Sequence, residues 1–125
     1  MNPRIELVDT SGRGLREFVS LPVRLYSGDR YWVPQIGSIQ MALLDPARGH
    51  PFHGHAETAY FLARGAGGRA VGRIAAIVNH MHNEFHGDRT GFFGFLEAED
   101  DPSIFHALLD AAGDWLRGKG MTSIR

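Results

Sequence analysis

Two apolar runs around a glycine-rich hexapeptide constrain this chain more than any other stretch of it. Ala59-Tyr60-Phe61-Leu62-Ala63 and Ala70-Val71-Gly72-Arg73-Ile74-Ala75-Ala76-Ile77-Val78 flank Arg64-Gly65-Ala66-Gly67-Gly68-Arg69. Both runs are short and apolar, and the glycines between them accept positive φ, so the segment from Thr58 to Val78 reads as an antiparallel hairpin. A third run, Thr90-Gly91-Phe92-Phe93-Gly94-Phe95-Leu96-Glu97, has large side chains on both faces. That pattern suits a central strand covered on two sides.

Helical signals surround this β region. Asp101-Pro102 places a capping acid before a first-turn proline, and Ile104, Leu108, Leu109, Ala112, Trp115 and Leu116 line one face of the helix that follows. Lys119-Gly120 closes it, and Met121 to Arg125 reads as the opening of another strand. Arg4 to Asp9 reads as a first strand and Thr10 to Gly14 as a turn. Leu15, Phe18, Val19, Leu21 and Leu25 keep helical spacing to Tyr26, interrupted by Pro22, which is expected to open a second helical piece capped by Ser20. Tyr31-Trp32-Val33-Pro34 is extended, and Ile36, Ile39, Leu43 and Leu44 predict a helix ending at Asp45-Pro46. Ala47 to Glu57 and His80 to Arg89 read as loops. The expected order is β-α-α-β-β-β-α-β in one α/β domain with a mixed sheet.

Composition removes several classes of function. The 125 residues contain no Cys, which excludes disulfides, thiolate metal sites and a cysteine nucleophile. With 13 Lys+Arg against 14 Asp+Glu, the net charge of −1 lacks the basic balance of a nucleic-acid-binding domain. No apolar run approaches the ~18–20 residues of a spanning helix, and no secretory leader is evident, so a cytoplasmic location without membrane attachment is expected. The 16 Gly fall largely at turns. The 7 His raise a metal reading: His53-Gly54-His55 and His80-Met81-His82 are His-x-His pairs, with His50, Glu84 and His86 nearby. Both pairs lie in expected loops and no His-Glu-x-x-His motif occurs, so no metal is expected. Arg64, Arg69 and Arg73 share the hairpin and are expected to be solvated.

Leu21-Pro22, Tyr31-Trp32-Val33-Pro34, Pro51-Phe52, Val71-Gly72-Arg73, Gly91-Phe92-Phe93-Gly94-Phe95 and Trp115-Leu116, in this order, resemble a bacterial group of GNAT-like N-acetyltransferases. The resemblance covers nearly the whole chain. It implies a largely antiparallel mixed sheet flanked by helices, with residues 1–125 as the N-terminal part of the domain, truncated at the C-terminus. It also implies acetyl-CoA as co-substrate and a small-molecule or peptide amine as acceptor. Phe95 and Leu96 match the end of the fourth strand, where the pantetheine arm lies, and Ser103 lies in the first turn of the helix that receives the diphosphate. Glu97, just beyond, is the candidate general base.

The chain departs from the family at the diphosphate loop. In place of Gln/Arg-x-x-Gly-x-Gly/Ala stands Glu97-Ala98-Glu99-Asp100-Asp101-Pro102-Ser103-Ile104. Two unit charges about 6 Å apart repel by roughly 3 kcal/mol at an effective dielectric near 20, or about a hundredfold in affinity. An alternative therefore stands beside acyl transfer: a GNAT-like domain that binds a ligand or partner without catalysis, with Tyr31, Trp32, Phe92, Phe93 and Phe95 as pocket candidates.

Overall fold

The computed structural model describes residues 3–10, 13–28, 44–48 and 51–125. The strands are β1 (Arg4–Leu7), β2 (Ala56–Arg64), β3 (Ala70–Asn79), β4 (Thr90–Ala98) and β5 (Ser123–Ile124). They lie side by side in the order β1-β2-β3-β4-β5. The first four are antiparallel neighbours, and β5 pairs parallel to β4. The helices are α1 (Gly14–Leu25), α2 (His80–His86) and α3 (Pro102–Gly118). The result is the expected α/β architecture with a mostly antiparallel mixed sheet.

The hairpin forms as its sequence dictates. Thr58 faces Ile77, Tyr60 faces Ala75 and Leu62 faces Arg73. Gly67 and Gly68 in the turn take φ of +72° and +78°, which a side chain would resist. Strand periodicity then sorts the side chains onto two faces. On one face Phe61, Ile74, Ala76 and Val78 meet Ile104, Leu108, Ala112 and Leu116 of α3. On the other, Tyr60, Leu62 and Ala75 meet Leu15, Phe18, Val19 and Leu21 around α1.

Two glycines let α3 lie close to the sheet. A Cβ on Gly72 would stand 2.8 Å from Cγ2 of Ile104 and 2.9 Å from Cδ1 of Leu108. One on Gly91 would stand 2.6 Å from Cδ2 of Leu116. All three distances are far inside van der Waals contact.

Three expectations need correction. Pro22 does not begin a new helical piece; it sits inside the single helix α1. His80 to His86 is a helix rather than loop, because the Asn79 side chain accepts from the His82 N–H and Gly87 closes the other end at φ +61°. Arg73 is 4% exposed, and the side chain of Arg64 is 12% exposed between Glu6 and Glu17, so only Arg69 of the three hairpin arginines is solvated. The helix expected over Ile36 to Leu44 and the aromatic stretch at Tyr31 to Pro34 lie outside the described residues, apart from Leu44. Leu44 is buried, and its carbonyl accepts from the Tyr60 hydroxyl at 2.6 Å. Among the described residues, no helix is long and apolar enough to cross a membrane.

Candidate active site

The site grows from an irregularity in β4. Arg73 pairs with Glu97, but Ala75 pairs with Gly94, so Phe95 and Leu96 together stand opposite Ile74. This is a β-bulge. Phe95 takes φ +55°, the one non-glycine positive φ among the described residues. For a bulky side chain that conformation is strained, at about 1–3 kcal/mol, and persists only where its surroundings impose it.

Arg73 supplies much of that imposition. Its Nε donates to the Phe95 carbonyl at 3.0 Å. Its Nη1 donates to the Phe18 carbonyl at 2.8 Å. Phe18 precedes Pro22 by four residues, and a proline has no N–H to give to that carbonyl. Arg73 thus fills the hydrogen bond that Pro22 leaves open, which is why α1 continues through the proline. The guanidinium lies 5.0 Å from the ring centroid of Phe18 and 5.5 Å from that of Phe95, a cation–π arrangement on both. Burial pushes the guanidinium pKa down, against the opposing pull of the Glu97 carboxylate and Tyr26. Arginine stays charged through such a shift.

Glu97 follows the bulge on the same face as Arg73, and its carboxylate accepts a hydrogen bond from the Tyr26 hydroxyl. That bond raises the Tyr26 pKa, with burial adding to the effect. Tyr26 comes from the end of α1 and Glu97 from the end of β4, so the two main structural layers meet at this pair. Phe95 packs toward the α1 side and Leu96 against the α3 cluster. Of the expected site residues, the structure brings Phe95, Leu96 and Glu97 together at the bulge. Tyr26 and Arg73 join them there; the sequence marks Tyr26 only as a helix end and Arg73 only as a residue of the hairpin, neither as part of the site.

Ser103 lies apart from this group, in the cap of α3. Its N–H and its hydroxyl both donate to Oδ1 of Asp101, at 2.9 and 2.8 Å. The acidic loop is also less bare than its sequence suggests. Glu99 pairs with Arg69 at 3.2 Å and Arg24 at 3.6 Å, while Asp100 is exposed. As a seat for the diphosphate of CoA, the start of α3 does not fit: Pro102 lacks an N–H, and the Asp101 carboxylate already occupies the place of an anion.

The two histidines of the second His-x-His pair have separate side-chain partners. His80 bonds to Glu57 at 3.0 Å, and His82 lies against His86 and Phe92. Among the described residues no group of three His, Asp or Glu is placed to hold a metal, and His50 lies outside them. A groove of about 280 Å³ between α1 and the hairpin turn is lined by Glu17, Ser20, Leu21, Arg24, Arg69 and Ala70.

No protein-family model matches the chain. It is 41% identical over 109 residues to a protein named bacterial ceramide synthase from Caulobacter vibrioides, covering 86% of this chain and 28% of that protein. It is 36% identical over 110 residues to Protein YghO of Escherichia coli, covering 88% of this chain and 27% of that protein. The chain therefore spans little more than a quarter of the length of either curated relative. Among solved structures, a tandem GNAT protein from the clavulanic acid biosynthesis pathway superposes with a TM-score of 0.70 at 17% identity, over 98% of this chain and 35% of that one. An aminoglycoside acetyltransferase from an uncultured soil metagenomic sample gives 0.66 at 15% identity, over 99% and 76% of the two chains. A GNAT-family acetyltransferase of Staphylococcus aureus gives 0.62 at 13% identity, over 97% and 71%. With its sheet order, its bulged fourth strand and its crossing helix α3, the chain has the fold of the GNAT acetyltransferases.

Proposed function

We propose that this chain is part of an N-acyltransferase that joins an acyl thioester to the amine of a long-chain acceptor. The observation that carries the reading is Glu97: a carboxylate at the end of the bulged strand of an acetyltransferase fold, oriented by Tyr26. A carboxylate so placed can take the proton that an attacking amine must lose, directly or through one water. The amine nitrogen forms a bond to the thioester carbonyl carbon, the carbon–sulfur bond breaks, and the thiolate leaves to be protonated by solvent. Arg73 acts by position, holding the bulge from which Glu97 projects.

Two comparisons support this assignment. The solved structures of like fold are acetyltransferases. The relative with 41% identity is named a ceramide synthase, and a ceramide is a fatty amide of a long-chain amino alcohol, so that name suggests a long-chain amine as acceptor. The acceptor class comes from that relative's name and the reaction class from the fold.

The test is to incubate the full-length protein with an acyl thioester and a long-chain amino alcohol, and to follow thiol release together with the amide by mass spectrometry. Amide formed in step with thiol is the expected result. Thioester binding with no amide from any amine offered would favour a ligand-binding domain instead.

A further inference from the structure

We infer that the start of α3 gives a nucleotide diphosphate no seat, so that the diphosphate of an acyl thioester donor adds no binding at this junction. The inference rests on the acyl-transfer reading above and adds which part of the donor this junction does not hold.

Four backbone N–H groups at the β4–α3 junction are already committed. The Glu99 N–H donates to the Val71 carbonyl at 2.9 Å, and the Asp101 N–H donates to the Glu99 carbonyl at 2.7 Å. Pro102 has no N–H. The Ser103 N–H donates to the Asp101 carboxylate at 2.9 Å, and the Ile104 N–H to the Asp101 carbonyl at 3.0 Å. The Ser103 hydroxyl donates to the same carboxylate oxygen at 2.8 Å. An open helix N-terminus attracts an anion because its first N–H groups lack partners. Here a side chain of the protein supplies that anion.

Charge points the same way. A diphosphate at this place would have to displace Asp101 from its two donors and lie beside the exposed Asp100. Two arginines that the loop pairs with, Arg24 and Arg69, are both engaged by Glu99. An acyl-pantetheine carries amides, hydroxyls and an apolar chain with no net charge, so it meets none of this opposition.

The experiment compares acyl-pantetheine with acyl-CoA of the same acyl chain on the full-length protein. It reads kcat/KM for each, and the dissociation constants of the matching unreactive thioethers by calorimetry. Inorganic diphosphate is added as a separate competitor. The expected result is a ratio under about tenfold in both measurements, with no competition by millimolar diphosphate. A CoA form favoured by tenfold or more, or competition by diphosphate, would overturn the inference while leaving acyl transfer intact. If neither thioester is turned over and neither thioether binds, the acyl-transfer reading fails and the inference falls with it.

Discussion

Nη1 of Arg73 donates to the carbonyl of Phe18 at 2.8 Å, the carbonyl that Pro22 would otherwise leave without a helical partner. A side chain of the sheet therefore completes a helix, and its other donor, Nε, holds the strained Phe95 carbonyl of the bulge. One buried cation couples the α1 layer to the strand that carries Glu97.

That coupling is measurable. Replacing Arg73→Met removes the donor from two carbonyls, each worth about 1–3 kcal/mol when left unsatisfied, while relieving the burial of a charge. We expect a loss of about 2–4 kcal/mol in chemical denaturation. Pro22→Ala restores an N–H for the Phe18 carbonyl, so the same arginine replacement costs less in that background. A double-mutant cycle should give a coupling of about 1 kcal/mol. Additive effects would show that the arginine does not substitute for the missing helical bond.

This relationship also marks where sequence reading stopped. The hairpin, the third strand and α3 were legible because each rests on local rules: glycines at the turn, apolar runs, Asp101 before Pro102. The continuation of α1 through Pro22 was not, since the compensating donor lies 51 positions later in the chain, at Arg73. Helix α2 was hidden for another reason. It is short, its two apolar residues Met81 and Phe85 are exposed rather than packed on a core, and its ends are set by Asn79 and Gly87. Glu97 was legible as a carboxylate at a strand end, but its partner Tyr26 sits 71 residues away and no spacing connects the two.

The close approach of α3 makes a contrast among glycines. Gly72→Ala and Gly91→Ala should each destabilise the fold by about 1–3 kcal/mol, because a Cβ would press on Ile104 and Leu108 or on Leu116. Gly94→Ala meets nothing within 4 Å and should be nearly neutral. Thermal melts of the three variants check this ordering. Equal effects at all three positions would contradict it.

Arg64 sets part of the acid stability. It bonds to Glu17 at 2.8 Å and to Glu6 at 3.0 Å, and these hydrogen bonds hold both carboxyl pKa values below the ordinary glutamate value. Depressed folded-state values mean that the stabilisation is fully present above the unfolded glutamate pKa of about 4.3. It is lost as pH falls through the lowered folded values. Urea midpoints at about pH 7 and about pH 3 should therefore differ more for the wild type than for Arg64→Met. A variant with the same pH dependence as the wild type would remove Arg64 from the explanation.

The Tyr26 phenol should ionise above the ordinary tyrosine range, because its hydrogen bond to Glu97, and then its burial, oppose the phenolate. Phenolate absorbance during an alkaline titration reads this directly, with Tyr26→Phe identifying the signal. Glu97→Gln should move the Tyr26 transition to lower pH by removing the neighbouring negative charge. An unchanged transition in that variant would mean that the pair does not persist in solution.

The most direct test of the central claim, that the Glu97 carboxylate accepts the amine proton, is the rate of amide formation by Glu97→Gln in the full-length protein at saturating donor. The glutamine keeps the size of the side chain and removes its basicity. We predict kcat lower by about 10²–10⁴-fold, with the KM for the thioester little changed and part of the rate recovered at higher pH, where more of the amine is already unprotonated. Wild-type kcat in a folded Glu97→Gln variant would contradict the account.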